Sequence, residues 1–231
     1  MSQKNNNPKF RILEATTTTS TTTSIAPSTP APTTTTTAST PTPTTSTITP
    51  TTLPPDQCLA LKAVLDSIQN KPNKPNKNTG VLSNLLLATN NLLDAYATTE
   101  DALRKKKAQQ NCNDEINLRD DYLKEAKIQL ERTNNKANQA IINIDTVVNK
   151  YCPGPSYCVK LNELKNSLEA LKTQNSKSIT TLTDIYTLTK DRSDNLHQTR
   201  IDKTYNKTSL SYSEIFNIFN DITNIRKNSG C

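Results

Sequence analysis

Between Tyr151 and Val159 the chain reads Cys152-Pro-Gly-Pro-Ser-Tyr-Cys158, and on either side run long tracts with apolar residues at helical spacing and no helix breaker. Proline lacks the N–H a helix interior needs and clashes with the preceding turn, while glycine takes backbone angles that other residues avoid. The segment therefore predicts the tip of a helical hairpin. Nine of the thirteen prolines precede Asp56, two stand at Pro72 and Pro75, and two lie in the tip; the three glycines are Gly80, Gly154 and Gly230. Helix interiors exclude both residue types, so the gaps between them mark helices.

Four helices follow from the apolar spacing. The first runs over about 56–70, with Asp56 as N-cap after Pro54-Pro55 and Cys58, Leu61, Leu65 and Ile68 on one face. The second tract covers 80–150. Its early stripe is Leu82, Leu85, Leu86, Leu92, Leu93, Tyr96 and Leu103; its later one, Ile116, Leu123, Leu130, Ala137, Ile144 and Tyr151, keeps a seven-residue step. The two stripes differ by about 140° round a helix, and Asn111-Cys-Asn-Asp114 is rich in turn-favouring residues, which places a break near 111–114. The third helix, 159–204, carries Leu161, Leu164, Leu168, Leu171, Asn175, Ser178, Leu182, Ile185, Thr189, Arg192, Leu196 and Thr199 at a and d positions. A polar link around Asn206 and a capping box at Ser211-Tyr-Ser-Glu214 then open a fourth helix, 211–227. The fold class is all-α: an elongated antiparallel helical bundle, or coiled-coil hairpin, over 56–231.

Residues 1–55 have a different character. From Thr16 to Thr52 there are 21 Thr, 5 Ser and 6 Pro in 37 positions, too little apolar surface to offset the entropy of ordering. This is a disordered Thr/Ser/Pro-rich arm, a spacer spanning about 40 Å as a flexible coil and over roughly 100 Å if stiffened. At its far end Phe10, Ile12 and Leu13 form an apolar knot that reads as a docking motif able to add as a strand to a partner. The composition is that of O-glycosylated stalks, but the first residues have no apolar stretch of signal-peptide form, and the two signals conflict.

Charge and motifs exclude several classes. The net charge of +7 is spread along the chain and gives no concentrated basic footprint, which argues against nucleic acid as the partner. The run Arg104-Lys-Lys-Lys107 reads first as a solvated helix face and second as a phosphate-binding or nuclear-import patch. No apolar run is long enough to span a membrane, so the chain is expected to be soluble. One histidine, His197, expected on an exposed face, and no Cys-x-x-Cys leave no metal framework; no cofactor is implied. There is no phosphate-cradling glycine loop and no nucleophile–base set, so catalysis is not expected.

The five cysteines are the remaining handles. Cys152 and Cys158 flank the tip and can close a short loop by a disulfide; Cys231, at the end after Asn-Ser-Gly, is expected to cross-link two copies. Asn206-Lys-Thr208 is the one N-glycosylation sequon and is expected in a loop. Together these features predict a non-enzymatic structural or tethering protein, a helical rod on a flexible spacer with protein partners, self-associating through its heptad faces, in a virion or surface setting. The alternatives are a basic regulatory or nucleic-acid-associated factor and a secreted mucin-like adhesin.

Overall fold

The computed structural model describes residues 52–69, 80–187 and 195–231. The Thr-rich arm, the Phe10, Ile12 and Leu13 motif, the Asn-Lys-Pro segment, and Thr189 and Arg192 lie outside these residues. Five helices account for most of what is described: α1 (Pro55–Ile68), α2 (Val81–Lys107), α3 (Asn113–Tyr151), α4 (Tyr157–Thr187) and α5 (Asn195–Asn228). No strand occurs among the described residues.

The architecture is a helical bundle. α2 packs on α3 and α5, α4 packs on α3 and α5, and the diagonal pairs do not meet, which is a square of four antiparallel columns. Contacts across α3 and α4 fix their register: Lys165 Nζ reaches Asp145 at 2.7 Å and Asn175 Nδ2 donates to Asn134 Oδ1 at 3.0 Å. Between α4 and α5, Gln174 meets Ser211 and Arg200 meets Asp184 in the same antiparallel sense. α3, with 39 residues, is about 58 Å long at 1.5 Å per residue. α2 has only 27 residues, and α1 packs on α3 and α5 as well, extending that column toward the hairpin tip.

All four long helices carry a heptad seam, and all four seams point inward. On α3 the seam is Ile116, Arg119, Leu123, Ala126, Leu130, Thr133, Ala137, Ala140, Ile144 and Val147, in alternating steps of three and four, with Gln129 buried beside it. On α4 the seam from Leu161 to Ile185 includes the buried Asn175 and Ser178. These faces are therefore filled within the chain, and the heptads expected to join copies serve the internal core.

Several expectations shift. The α2 seam is Val81, Leu85, Ala88, Leu92, Ala95, Thr99 and Ala102, whereas Leu86 and Leu93 remain 36 % and 47 % exposed. Of the expected stripe, Leu82, Leu85 and Leu92 are buried, and small residues rather than Leu86 and Leu93 complete the seam. The break at 111–114 is a five-residue turn, Ala108 to Cys112, with Gln109 at φ 54°. No link occurs at Asn206. α5 runs straight through it because Ile201, Thr204, Thr208, Ile215 and Ile222 continue one buried heptad. The hydroxyls of Thr204 and Thr208 bond back to the carbonyls of Arg200 and Thr204 at 2.9 and 2.8 Å, so these threonines enter the core as satisfied groups. Leu196, expected on the seam, is 66 % exposed, and His197, expected on the surface, is buried.

Candidate functional site: the covalently closed end

The hairpin tip, the start of α1 and the end of α5 gather at one end of the bundle. The chain joins it at Leu53, whose N–H donates to the carbonyl of Ser229 at 3.1 Å. Pro55 stands at the first helical position, where a missing N–H costs nothing, and the helix has no side-chain cap. Asp56, expected as that cap, lies in the first turn instead. Its carboxylate accepts the Tyr151 hydroxyl at 2.8 Å, with Lys150 Nζ 3.9 Å away, and that hydrogen bond foremost, aided by Lys150, holds the carboxyl below its ordinary value. Across the tip, at the first residue of α4, the buried Tyr157 donates its hydroxyl to Gln57 Oε1 at 2.7 Å, and burial pushes its phenol up. Two tyrosines from the tip therefore grip the first turn of α1.

Two disulfides close the same end. Cys152 and Cys158 are joined across the tip, with Cα atoms 5.9 Å apart. Cys231 is joined to Cys58 within the chain, Cα atoms 5.4 Å apart, which corrects its expected role as a link between copies. The physical reason is topological. Cys58 and Cys231 bracket the helical part of the sequence, and the antiparallel columns return the last helix to the end where the first begins. Arg226 secures the junction, its guanidinium donating to the carbonyls of Cys58 at 3.4 Å and Cys231 at 3.0 Å. Behind the bridge, α1 buries Leu61, Val64, Leu65 and Ile68 against its neighbours, worth roughly 1.5–3 kcal/mol each.

From the sequence Cys58 and Tyr151 are members of apolar stripes and nothing more, and Gln57, Tyr157 and Arg226 carry no signal. A signal for the pairing of Cys58 was present: the two cysteines nearest the ends of the foldable tract are natural partners in an antiparallel bundle.

The opposite end is built differently. Lys105 on α2 and Glu115 on α3 pair at 2.5 Å across the turn; their hydrogen bond holds the carboxyl below its ordinary value and raises the ammonium. Arg104 pairs with Asp101, and the four cations occupy the last turn of α2, where they complement its dipole. Half-buried Cys112 carries a free thiol. It shares with Thr99, Ala102, Leu103, Lys106, Ile116 and Arg119 a shallow cleft with room for little more than one water-sized group. Arg119 is fully buried there, its guanidinium held by Asp120 at 2.6 Å. Among the described residues no three His, Cys, Asp or Glu side chains converge as a metal site would require, and no helix is long and apolar enough to cross a membrane.

No family model, curated protein or solved structure matches this chain.

Proposed function

We propose that this chain is a non-enzymatic structural tether: a helical rod carried on the Thr/Ser/Pro-rich spacer, working at a virion or cell surface in contact with an oxidising medium. The observation that carries the reading is that the spacer joins the bundle where the bundle is covalently closed. A pull on the spacer arrives at Leu53 and meets α1, a helix of 14 residues, too short to hold by itself. Within its first turn the Cys58–Cys231 bridge divides that load between α1 and the 34-residue α5. A tether needs its strongest point at its attachment, and that is where this chain places both disulfides. Disulfides of this kind persist in oxidising compartments and are rare in reducing ones.

Pulling the full chain between its arm and the α2–α3 turn tests the reading. The oxidised protein should give way in one cooperative event, whereas a Cys58→Ser, Cys231→Ser chain should first lose α1 at lower force. Identical traces would remove the support for a tether. Salt-sensitive retention on generic DNA would favour the regulatory alternative instead. The two disulfides also favour a second reading, a secreted mucin-like adhesin with sugar on the Thr tract. Intact mass of the protein from its native source separates that reading from a bare spacer.

A further inference from the structure

The sequon Asn206-Lys-Thr208 sits in the middle of α5, and its two functional residues point opposite ways. Asn206 is exposed on the outer face, while Thr208 is fully buried in the seam with its hydroxyl committed to the Thr204 carbonyl at 2.8 Å. One turn further along the outer face lies Leu210, 71 % exposed, an apolar side chain that nothing in the bundle covers. From this geometry we infer that Asn206 is an N-glycosylation site, modified before α5 closes onto the bundle, and that the attached sugar shields Leu210. The inference goes beyond the tethering reading and does not depend on it. It requires only passage through an oxidising secretory compartment, the setting in which two intrachain disulfides form.

The chemistry is a group transfer. The carboxamide nitrogen of Asn206 forms a bond to the anomeric carbon of an oligosaccharide, the bond from that carbon to a lipid-linked diphosphate breaks, the diphosphate leaves with its lipid, and one amide proton passes to solvent. The acceptor is recognised as Asn-x-Thr, with the Thr side chain as part of the signal. In the closed bundle that side chain is out of reach, so the folded chain is a poor acceptor and the unfolded chain a good one. Closure is made covalent by the Cys58–Cys231 bridge, in which two thiols give up two electrons and two protons to a disulfide oxidant of the compartment. Because Cys231 follows α5, this step waits until that helix, Asn206 included, has been made. Glycosylation and closure therefore compete, and the modified fraction at Asn206 records which came first.

The experiment expresses the full chain behind a cleavable secretory signal in animal cells and measures Asn206 occupancy by mass spectrometry before and after amidase release of N-glycans. The expected result is a glycan at Asn206 on a fraction of secreted chains, absent in Asn206→Gln. In Cys231→Ser, read on total cell protein so that misfolded chains are counted, the occupied fraction rises above that of the parent chain. The purified, folded protein offered to the transferase with its lipid-linked donor should gain no mass, and the same protein reduced and unfolded should. Secreted, disulfide-bonded protein with Asn206 wholly unmodified overturns the site. Equal occupancy in the parent and Cys231→Ser chains, or modification of the folded protein in vitro, overturns the order of events.

Discussion

The two ends of this bundle hold the same four columns together by different means. Every buried polar or charged side chain among the described residues lies on α2, on α3 as far as Thr133, on α4 from Asn175 onward, or on α5 as far as Thr208. The disulfide end has none of those: its interior includes Leu61, Val64, Ile68, Ile144, Leu161, Leu164, Leu168, Ile215, Phe219 and Ile222, with the small Ala140 and with Tyr157, whose hydroxyl is bonded to Gln57. The far end keeps the same heptad spacing but sets Ala88, Ala95, Ala102, Ala126 and hydroxyls that bond within their own helices among Leu92, Ile116, Leu123, Leu182, Ile185 and Ile201. An alanine in place of a leucine forgoes three carbons, about 2 kcal/mol or more at roughly 0.8 kcal/mol each. Periodicity thus sets which face turns inward, while residue size sets how strongly that face holds. Stability along the rod should be graded, highest where the spacer joins and lowest at the α2–α3 turn.

The largest expected effect comes from opening the strong end. The Cys58–Cys231 bridge spans 173 residues of sequence, and loop closure of that size is worth about 4 to 5 kcal/mol in the chain-entropy account. Urea unfolding of Cys58→Ser, Cys231→Ser should show a loss of that order. Removing the tip bridge, with a separation of 6, should cost about half as much. Hydrogen exchange sharpens the contrast: α1 and the end of α5 should lose protection while α2 does not. If protection falls equally at both ends, the bundle is a single cooperative unit and the gradient is wrong.

Core substitutions provide the next comparison. Leu164→Ala removes a fully buried side chain at the disulfide end and should cost about 2–5 kcal/mol by thermal or urea unfolding. Thr208→Ala is equally buried but should cost under about 1 kcal/mol, because its hydroxyl bonds only to its own helix and the Thr204 carbonyl keeps its helical N–H partner without it. Asn175→Leu should act in the other direction. Its Oδ1 is buried with no hydrogen-bond partner among the described residues, so an apolar replacement should raise the melting temperature by an amount equivalent to about 1 kcal/mol. A polar residue in a seam also fixes register. The stabilised variant should therefore show broader amide resonances along α3 and α4, and unchanged spectra would mean that Asn175 carries no register information.

How much of this was legible in the sequence follows the same division. Where leucines mark the seam, as from Leu161 to Ile185, spacing alone located the buried face, including Asn175 and Ser178. Where alanine and threonine mark it, the signal weakens: Leu82, Leu85 and Leu92 lie on the buried face of α2 but Leu86 and Leu93 do not, and Thr204 and Thr208 hide the continuity of α5 behind an apparent polar link. A threonine that satisfies itself against its own helix is indistinguishable in sequence from one that faces water. The closed end was half legible. Cys152 and Cys158 announce each other by flanking a turn, whereas Cys58 and Cys231 meet only through the topology of the whole chain.

The smallest expected effect is electrostatic and tests both ends at once. Asp56 is held below its ordinary value chiefly by the Tyr151 hydroxyl, and Glu115 by the Lys105 ammonium. For each acid the folded state favours the charged form, so its contribution is present above the ordinary carboxylate range, near pH 4, and is lost as pH falls through the lowered folded value. The raised ammonium groups of Lys105 and Lys150 act on the opposite limb: their contribution is present below about pH 10 and is lost as pH rises through the folded values. Asp56→Asn should flatten the acid limb of exchange protection in α1 alone, and Glu115→Gln should flatten it only around the α2–α3 turn. The Asp56 pair is solvent-exposed and the Lys105–Glu115 pair partly so, and raising salt should shrink both effects. The two need not shrink alike: Tyr151 is neutral and donates a hydrogen bond that salt screens little, whereas Lys105–Glu115 is an ion pair. A larger salt response at the Asp56 end would reverse that assignment and put Lys150, rather than Tyr151, in control of the junction.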